Sequence, residues 1–213
     1  ARLRQRKHYL ANVTMIDHAV GQITECLKNN DLSENTVIIF TSDHGDCLTD
    51  HGHSQKWTMF EKITRVPLIF SGVGIQKNQK IEELVQWMDV GPTILDLAQC
   101  YSPSGMEAVS MLPAVIGDTW KGRDYLFCEQ VGDMVLTDAK FMSMIRSKSW
   151  KLIHFLNSTE GQMYNLVNDP TEQENLWNSE EHESQKQTLL IELLNWRVKS
   201  QLEHSNCWIY QNP

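Results

Sequence analysis

The chain has 213 residues, 41% of them hydrophobic, enough to fill the core of one ordinary domain or of a larger piece with a smaller one attached. Its 27 acidic residues against 19 lysines and arginines leave a net charge of -8, which argues against a broad nucleic-acid footprint because counterion release needs a basic surface. No run of 18 apolar residues is present, and the basic start Ala1-Arg-Leu-Arg-Gln-Arg-Lys7 has no apolar stretch behind it, so neither a membrane span nor a signal peptide is read.

In chain order, Tyr9, Val13, Ile16, Val20, Ile23 and Leu27 recur at steps of four and three, which predicts one amphipathic helix over the first thirty residues, ended by Asn29-Asn30-Asp31. Thr36-Val-Ile-Ile-Phe40 is short, β-branched and apolar without alternation, as expected of a strand buried on both faces of a parallel sheet. Val66-Pro-Leu-Ile-Phe70 is a second strand, stopped by Ser71-Gly-Val-Gly74. Asp89 precedes a short helix, Pro92 to Ala98, with proline in its first turn.

From Cys100 to Arg123 the pattern dissolves into a connection holding Pro103, Gly105, Pro113 and Gly117, where a subdomain boundary is expected. Beyond it, Phe141 to Arg146 and Trp150 to Phe155 flank Ser147-Lys-Ser149 as an antiparallel hairpin. Met163 to Leu166 makes a third strand closed by Asn168-Asp-Pro170. Leu189, Leu190, Leu193, Leu194 and Trp196 give an apolar face to a C-terminal helix starting near Glu181. The succession of helix, turn and apolar strand indicates an α/β layer fold.

Chemistry concentrates in Thr41 to Glu61, TSDHGDCLTDHGHSQKWTMFE, immediately after the first strand. Ligands of open α/β sheets sit beyond the carboxyl ends of strands, where Ser42-Asp43-His44-Gly45 falls. Asp43 and His44 can turn toward one cation if the backbone bends after them, a freedom expected of Gly45. A carboxylate with an imidazole suits Zn, Mn or Fe, and calcium only with further oxygens. Taken alone, Asp43 could equally cap a turn and His44 could be a surface residue.

Lys56, thirteen residues after Asp43, suits an anion held beside a cation, although most lysines only face solvent. His51 and His53 are candidates for substrate binding or for protonating a leaving group, since imidazole titrates near neutrality. Cys47 is expected to be an inert thiol, and Trp57 and Phe60 to pack. The cysteines at 26, 47, 100, 128 and 207 show no CxxC spacing. Asn12-Val-Thr14 and Asn157-Ser-Thr159 fit the N-glycosylation acceptor pattern, which matters if the chain is secreted by a eukaryote.

Thr36 to Asp46, then His51-Gly52, Lys56, Phe60-Glu61 and Arg65-Val-Pro-Leu-Ile-Phe70, together resemble the sulfatase family of the alkaline phosphatase superfamily. Tyr9 to Asp17 with Val20-Gly21, Asp89 to Leu97, Met144 to Leu152 and Met163 to Leu176 extend the resemblance almost end to end. The Asp-His pair is similar to the choline-sulfatase and iduronate-sulfatase branches.

The resemblance implies part of an alkaline-phosphatase-like α/β sandwich over residues 1–110 and, over 111–213, a subdomain with an antiparallel four-stranded sheet plus a terminal helix. It implies Asp43 and His44 as ligands of one divalent metal, calcium in most sulfatases and Mn or Zn in phosphoryl hydrolases, with Lys56 as a catalytic residue contacting sulfate. Family sulfatases carry a formylglycine, made from Cys or Ser in a C/S-x-P/A-x-R motif, whose hydrated form attacks sulfur. None of the five cysteines begins that motif, and the upstream Asp-Asp pair and histidine are absent as well.

The chain is therefore expected to be the C-terminal half of an enzyme of roughly 450 to 500 residues, larger than one ordinary domain. Its partners would be the N-terminal half and a small-molecule or saccharide sulfate ester; the resemblance implies a periplasmic, extracellular or lysosomal setting, with a cytoplasmic one left open by the sequence. A phosphodiesterase or phosphonate monoester hydrolase and a non-catalytic anion- or partner-binding fragment are the alternatives.

Overall fold

The computed structural model describes residues 2–103, 105–132 and 139–210, with side chains as far as residue 202. It divides into two compact units, one of residues 1–79 with 115–117 and one of residues 80–114 with 118–213. The expected partition at 110/111 follows family architecture and is a different division from this one.

In the first unit, helix α1 (Arg2–Asn29) ends where its orphan carbonyls find partners. Leu32 N–H reaches Leu27 O at 2.9 Å and Asp31 N–H reaches Lys28 O at 3.2 Å, with Asp31 in the left-handed conformation at φ 56°. This is a Schellman ending with aspartate in place of the usual glycine. The helix has the span the periodicity predicts, but none of its residues is buried, and Val13, Ile16 and Ile23 stay exposed among the described residues.

Strand β1 (Val37–Thr41) pairs with β2 (Leu68–Gly72), with Ile39 opposite Phe70. The pairing is antiparallel and β1 is half-buried along its length, which corrects the expectation of a parallel strand buried on both faces. The connection holds a 3-10 turn (Asp50–Gly52) and the four-residue helix α2 (Glu61–Thr64), with no long helix of the kind that usually makes a parallel crossover. Strand β2 starts one residue after Pro67, whose missing N–H would leave a gap in the ladder.

In the second unit, Asp89 is fully buried at the start of α3 (Val90–Leu97). Its carboxylate accepts from Gln86 N–H at 2.9 Å and Val109 N–H at 2.8 Å, and pairs with both ends of the Arg123 guanidinium fork. Thr93 continues the anchor, donating to Asp89 O at 2.6 Å and accepting from Met111 N–H at 2.9 Å. Polar contacts thus fix the irregular stretch after α3, which contains the five-residue helix α4 (Leu112–Ile116).

Strands β3 (Leu126–Val131), β4 (Phe141–Arg146), β5 (Trp150–Phe155) and β6 (Gly161–Asn165) form an antiparallel meander in sequence order. The hairpin and third strand match the sequence reading; β3 was visible only through the family resemblance. Ile145, Leu152 and Met163 from the sheet, Trp177 from the following loop, and Leu189 and Leu193 from helix α5 (Glu183–Tyr210) make one core. Leu194, expected on the apolar face, points to solvent at 61% exposure. No helix among the described residues is long and apolar enough to cross a membrane.

The loop after β6 closes over the sheet edge. Asn175 Oδ1 accepts from Met163 N–H at 2.9 Å and Trp177 N–H at 3.1 Å, while its Nδ2 donates to Gly161 O at 3.0 Å. The loop also delivers Glu172 to Lys151, and beside that pair burial first, then the Glu172 and Asp169 charges, push the Tyr164 phenol up to about 12. Since the unfolded chain would release this proton near pH 10, stability is full below pH 10 and falls as pH rises toward 12. Phenolate absorbance should therefore show one of the five tyrosines ionising near pH 12, and the late step should vanish in Tyr164→Phe. Uniform ionisation near pH 10 would contradict this placement.

Candidate functional site

Strand β1 ends at Thr41 and hands the chain to Ser42, Asp43, His44 and Gly45. Gly45 is needed here for close approach: its N–H donates to Ile63 O at 2.8 Å, and a Cβ at this position would lie 1.9 Å from Lys62 O. It is absent from the left-handed positions, so the expected backbone freedom is not its role. The contact pins the Asp-His segment against α2.

His44 Nδ1 lies 2.8 Å from Gly45 O. A carbonyl only accepts, so Nδ1 carries the hydrogen, and in the neutral ring Nε2 keeps its lone pair. That Nε2 is 3.5 Å from Asp43 Oδ2. Two donors sharing one cation at roughly 2.0–2.5 Å each, approached at about a right angle, sit about 3–3.5 Å apart, so the separation fits a chelating pair. The nitrogen and oxygen set suits Mn or Zn, and calcium where further oxygens join it. Among the described residues no cluster of three or more His, Cys, Asp or Glu could hold a metal.

Asp43 Oδ1 accepts from His44 N–H at 2.9 Å, and Ser42 Oγ donates to His44 O at 2.9 Å, which together set the local turn. The His44 N–H above all, with smaller help from the Lys56 charge, holds the Asp43 carboxyl below its ordinary value against desolvation, the second-largest effect. A carboxylate held ionised is the form that divalent metals bind; Lys56 is itself exposed and contributes the smallest of these effects.

The loop from Asp46 to Gln55 is tightly folded. Asp46 Oδ1 accepts from Leu48 N–H at 2.7 Å and Gln55 N–H at 3.1 Å, and Cys47 N–H donates to Gln55 O at 3.1 Å. Leu48, Thr49, His51 and Gln55 all have positive φ, a concentration of strain sustained by these contacts and by Arg6. Arg6 reaches Leu48 O at 3.3 Å and pairs with Asp50. Neither Asp46 nor Arg6 stood out in the sequence; Arg6 lies 42 residues from its carbonyl partner and left no local signal.

His51 stacks on the buried Phe60, ring centroids 3.8 Å apart and planes 6° from parallel, and His53 lies tilted 6.4 Å from the same ring. Phe60 is therefore the shelf that brings both histidines together. Cys47 is completely buried with Sγ 3.5 Å from Thr58 Oγ1, an inert placement for a thiol. Trp57 is half-buried and donates Nε1–H to Gln55 Oε1 at 3.1 Å.

Residues 49–199 match the family model described as N-sulphoglucosamine sulphohydrolase, C-terminal, and residues 5–66 match that of type I phosphodiesterase / nucleotide pyrophosphatase. Arylsulfatase K of Canis lupus familiaris is 31% identical over 180 residues, 80% of this chain and 33% of the relative. N-acetylglucosamine-6-O-sulfatase of Bacteroides thetaiotaomicron is 31% identical over 196 residues, 88% of this chain and 34% of the relative. The chain thus spans about one third of the length of these curated relatives.

Among solved structures, one in complex with its substrate D-glucosamine-2-N,6-O-disulfate superposes with a TM-score of 0.78 at 28% identity, covering 91% of this chain and 40% of that one. Phosphonate monoester hydrolase of Agrobacterium radiobacter superposes with a TM-score of 0.81 at 24% identity, over 88% and 40% of the two chains, and speaks for the fold alone. With the α/β architecture, the antiparallel sheet and the terminal helix in agreement, the chain belongs to the sulfatase family and corresponds to its C-terminal part.

Proposed function

We propose that this chain serves metal-dependent hydrolysis of a sulfate ester, with Asp43 and His44 as ligands of one divalent metal and Lys56 as the cation that meets the sulfuryl oxygens. The observation that carries the reading is the 3.5 Å separation of Asp43 Oδ2 and His44 Nε2 at the end of β1. When bound, the metal would supply positive charge for the oxygens of the reacting group. Lys56 adds a flexible, fully charged ammonium on an exposed stem, suited to an anion arriving from solvent.

His51, held flat by Phe60, and His53 would contact the leaving-group side of the substrate, with His51 the more rigid of the two. The nucleophile is expected to be a formylglycine supplied by sequence outside this chain. A sulfated saccharide is the substrate class we favour, supported by the saccharide sulfatases among the relatives. The family model spanning 5–66 favours a second reading, hydrolysis of a phosphate diester or phosphonate, because it covers Asp43, His44 and Lys56.

The test is turnover by the complete protein on an aryl sulfate, a sulfated monosaccharide and an aryl phosphonate monoester, with metal content measured in parallel. Sulfate esters should be cleaved first, a chelator should abolish turnover, and Asp43→Ala should sharply weaken metal binding. Preference for the phosphonate would select the second reading. Undiminished metal binding and turnover in Asp43→Ala would remove the site assignment.

A further inference from the structure

Two acceptor tripeptides for N-linked glycans occur in the chain, and the fold treats them in opposite ways. Asn12 lies inside the 28-residue helix α1, and the hydroxyl of Thr14, its required partner two residues on, donates back to Leu10 O at 3.1 Å. In the folded chain the helix interior holds the acceptor backbone in hydrogen bonds and the Thr14 hydroxyl is engaged.

Asn157 is placed differently. It stands with φ 62° in the five-residue turn between β5 and β6, where residues 156–160 are all exposed. Among the described residues neither the Asn157 carboxamide nor the Thr159 hydroxyl has a hydrogen-bond partner. The turn is held from below: Ser158 N–H donates to Phe155 O at 3.2 Å, Glu160 N–H to Ser158 Oγ at 3.0 Å, and the buried Trp177 donates Nε1–H to Thr159 O at 3.0 Å. Asparagine tolerates the left-handed conformation, which accounts for Asn157 as a turn residue. It does not account for a threonine two residues on with an exposed, unengaged hydroxyl.

We infer that Asn157, and not Asn12, is an N-glycan attachment site when the protein passes through a eukaryotic secretory compartment. The co-reactant is a lipid-pyrophosphate-linked oligosaccharide. A bond forms between Asn157 Nδ2 and the anomeric carbon of the sugar, the bond from that carbon to the pyrophosphate oxygen breaks, the lipid pyrophosphate leaves with the electron pair, and the amide nitrogen gives up one proton. Because the turn lies outside the sheet core, a glycan there displaces no packed side chain, and it would shield Leu156, 52% exposed beside it.

The experiment is expression of the complete protein through the secretory pathway of a eukaryotic cell line, followed by glycopeptide mass spectrometry before and after enzymatic release of N-glycans. The expected result is glycan on the peptide holding Asn157 and none on that holding Asn12. Asn157→Gln and Thr159→Ala should each remove one glycan, Thr159→Ser should keep it, and Asn12→Gln should change nothing. Thr159→Ala retains the asparagine turn, so loss of the glycan in a secreted Thr159→Ala protein is not a folding effect. A bare Asn157 in secreted wild-type protein, or any glycan on Asn12, would overturn the inference.

Discussion

Lys151→Met is expected to destabilise the protein by about 3–5 kcal/mol, the cost of leaving one member of a buried ion pair without its counter-charge. Lys151 and Glu172 are fully enclosed, at 0% and 1% side-chain exposure, with Nζ 2.8 Å from Oε1. Glu172 reaches this position from a left-handed backbone at φ 57°, so the loop after β6 accepts local strain to deliver it. Removing the lysine strands a carboxylate in the interior; removing both charges does not. Lys151→Met combined with Glu172→Gln should therefore recover most of the loss, and denaturant unfolding of the single and double variants measures the coupling directly. A Lys151→Met protein within about 0.5 kcal/mol of wild type would show that the pair is not enclosed.

Lys56→Ala carries the second large effect, and it falls on activity alone. Removing one pre-placed charged donor from a site where negative charge develops costs about 100- to 1,000-fold in kcat. Lys56 is exposed and makes no core contact, so the unfolding midpoint should stay within error of wild type. Bound metal should also persist, since the donor atoms in the proposed site are those of Asp43 and His44, 3.5 Å apart, and not of Lys56. Lys56→Arg should recover part of the rate, because charge returns with a different geometry. Wild-type kcat/KM in Lys56→Ala would exclude the lysine from the reaction.

Both expectations rest on charged residues, but only one of the two sites is readable along the chain. Asp43, His44 and Lys56 fall within fourteen consecutive residues after an apolar strand, so the group stands out in the local sequence. Lys151 sits between Trp150 and Leu152 in a strand, where alternation alone suggests a residue facing water. Its partner lies 21 residues away, across a strand and a loop whose path no local pattern specifies. The Asp89–Arg123 pair, 34 residues apart, was hidden for the same reason.

Local order in the sequence determined the helix from Arg2 to Asn29, the hairpin around Ser147-Lys-Ser149 and the placing of the Asp-His pair at a strand end, because periodicity and turn chemistry act over a few residues. The tertiary structure alone decided the antiparallel direction of β1 and β2, the enclosure of Lys151 with Glu172, the seating of His51 on Phe60 and the need for glycine at 45. Each of these depends on which distant backbone or side chain arrives opposite, and that contact is set by the packing of whole elements, whose energy no short window of residues contains.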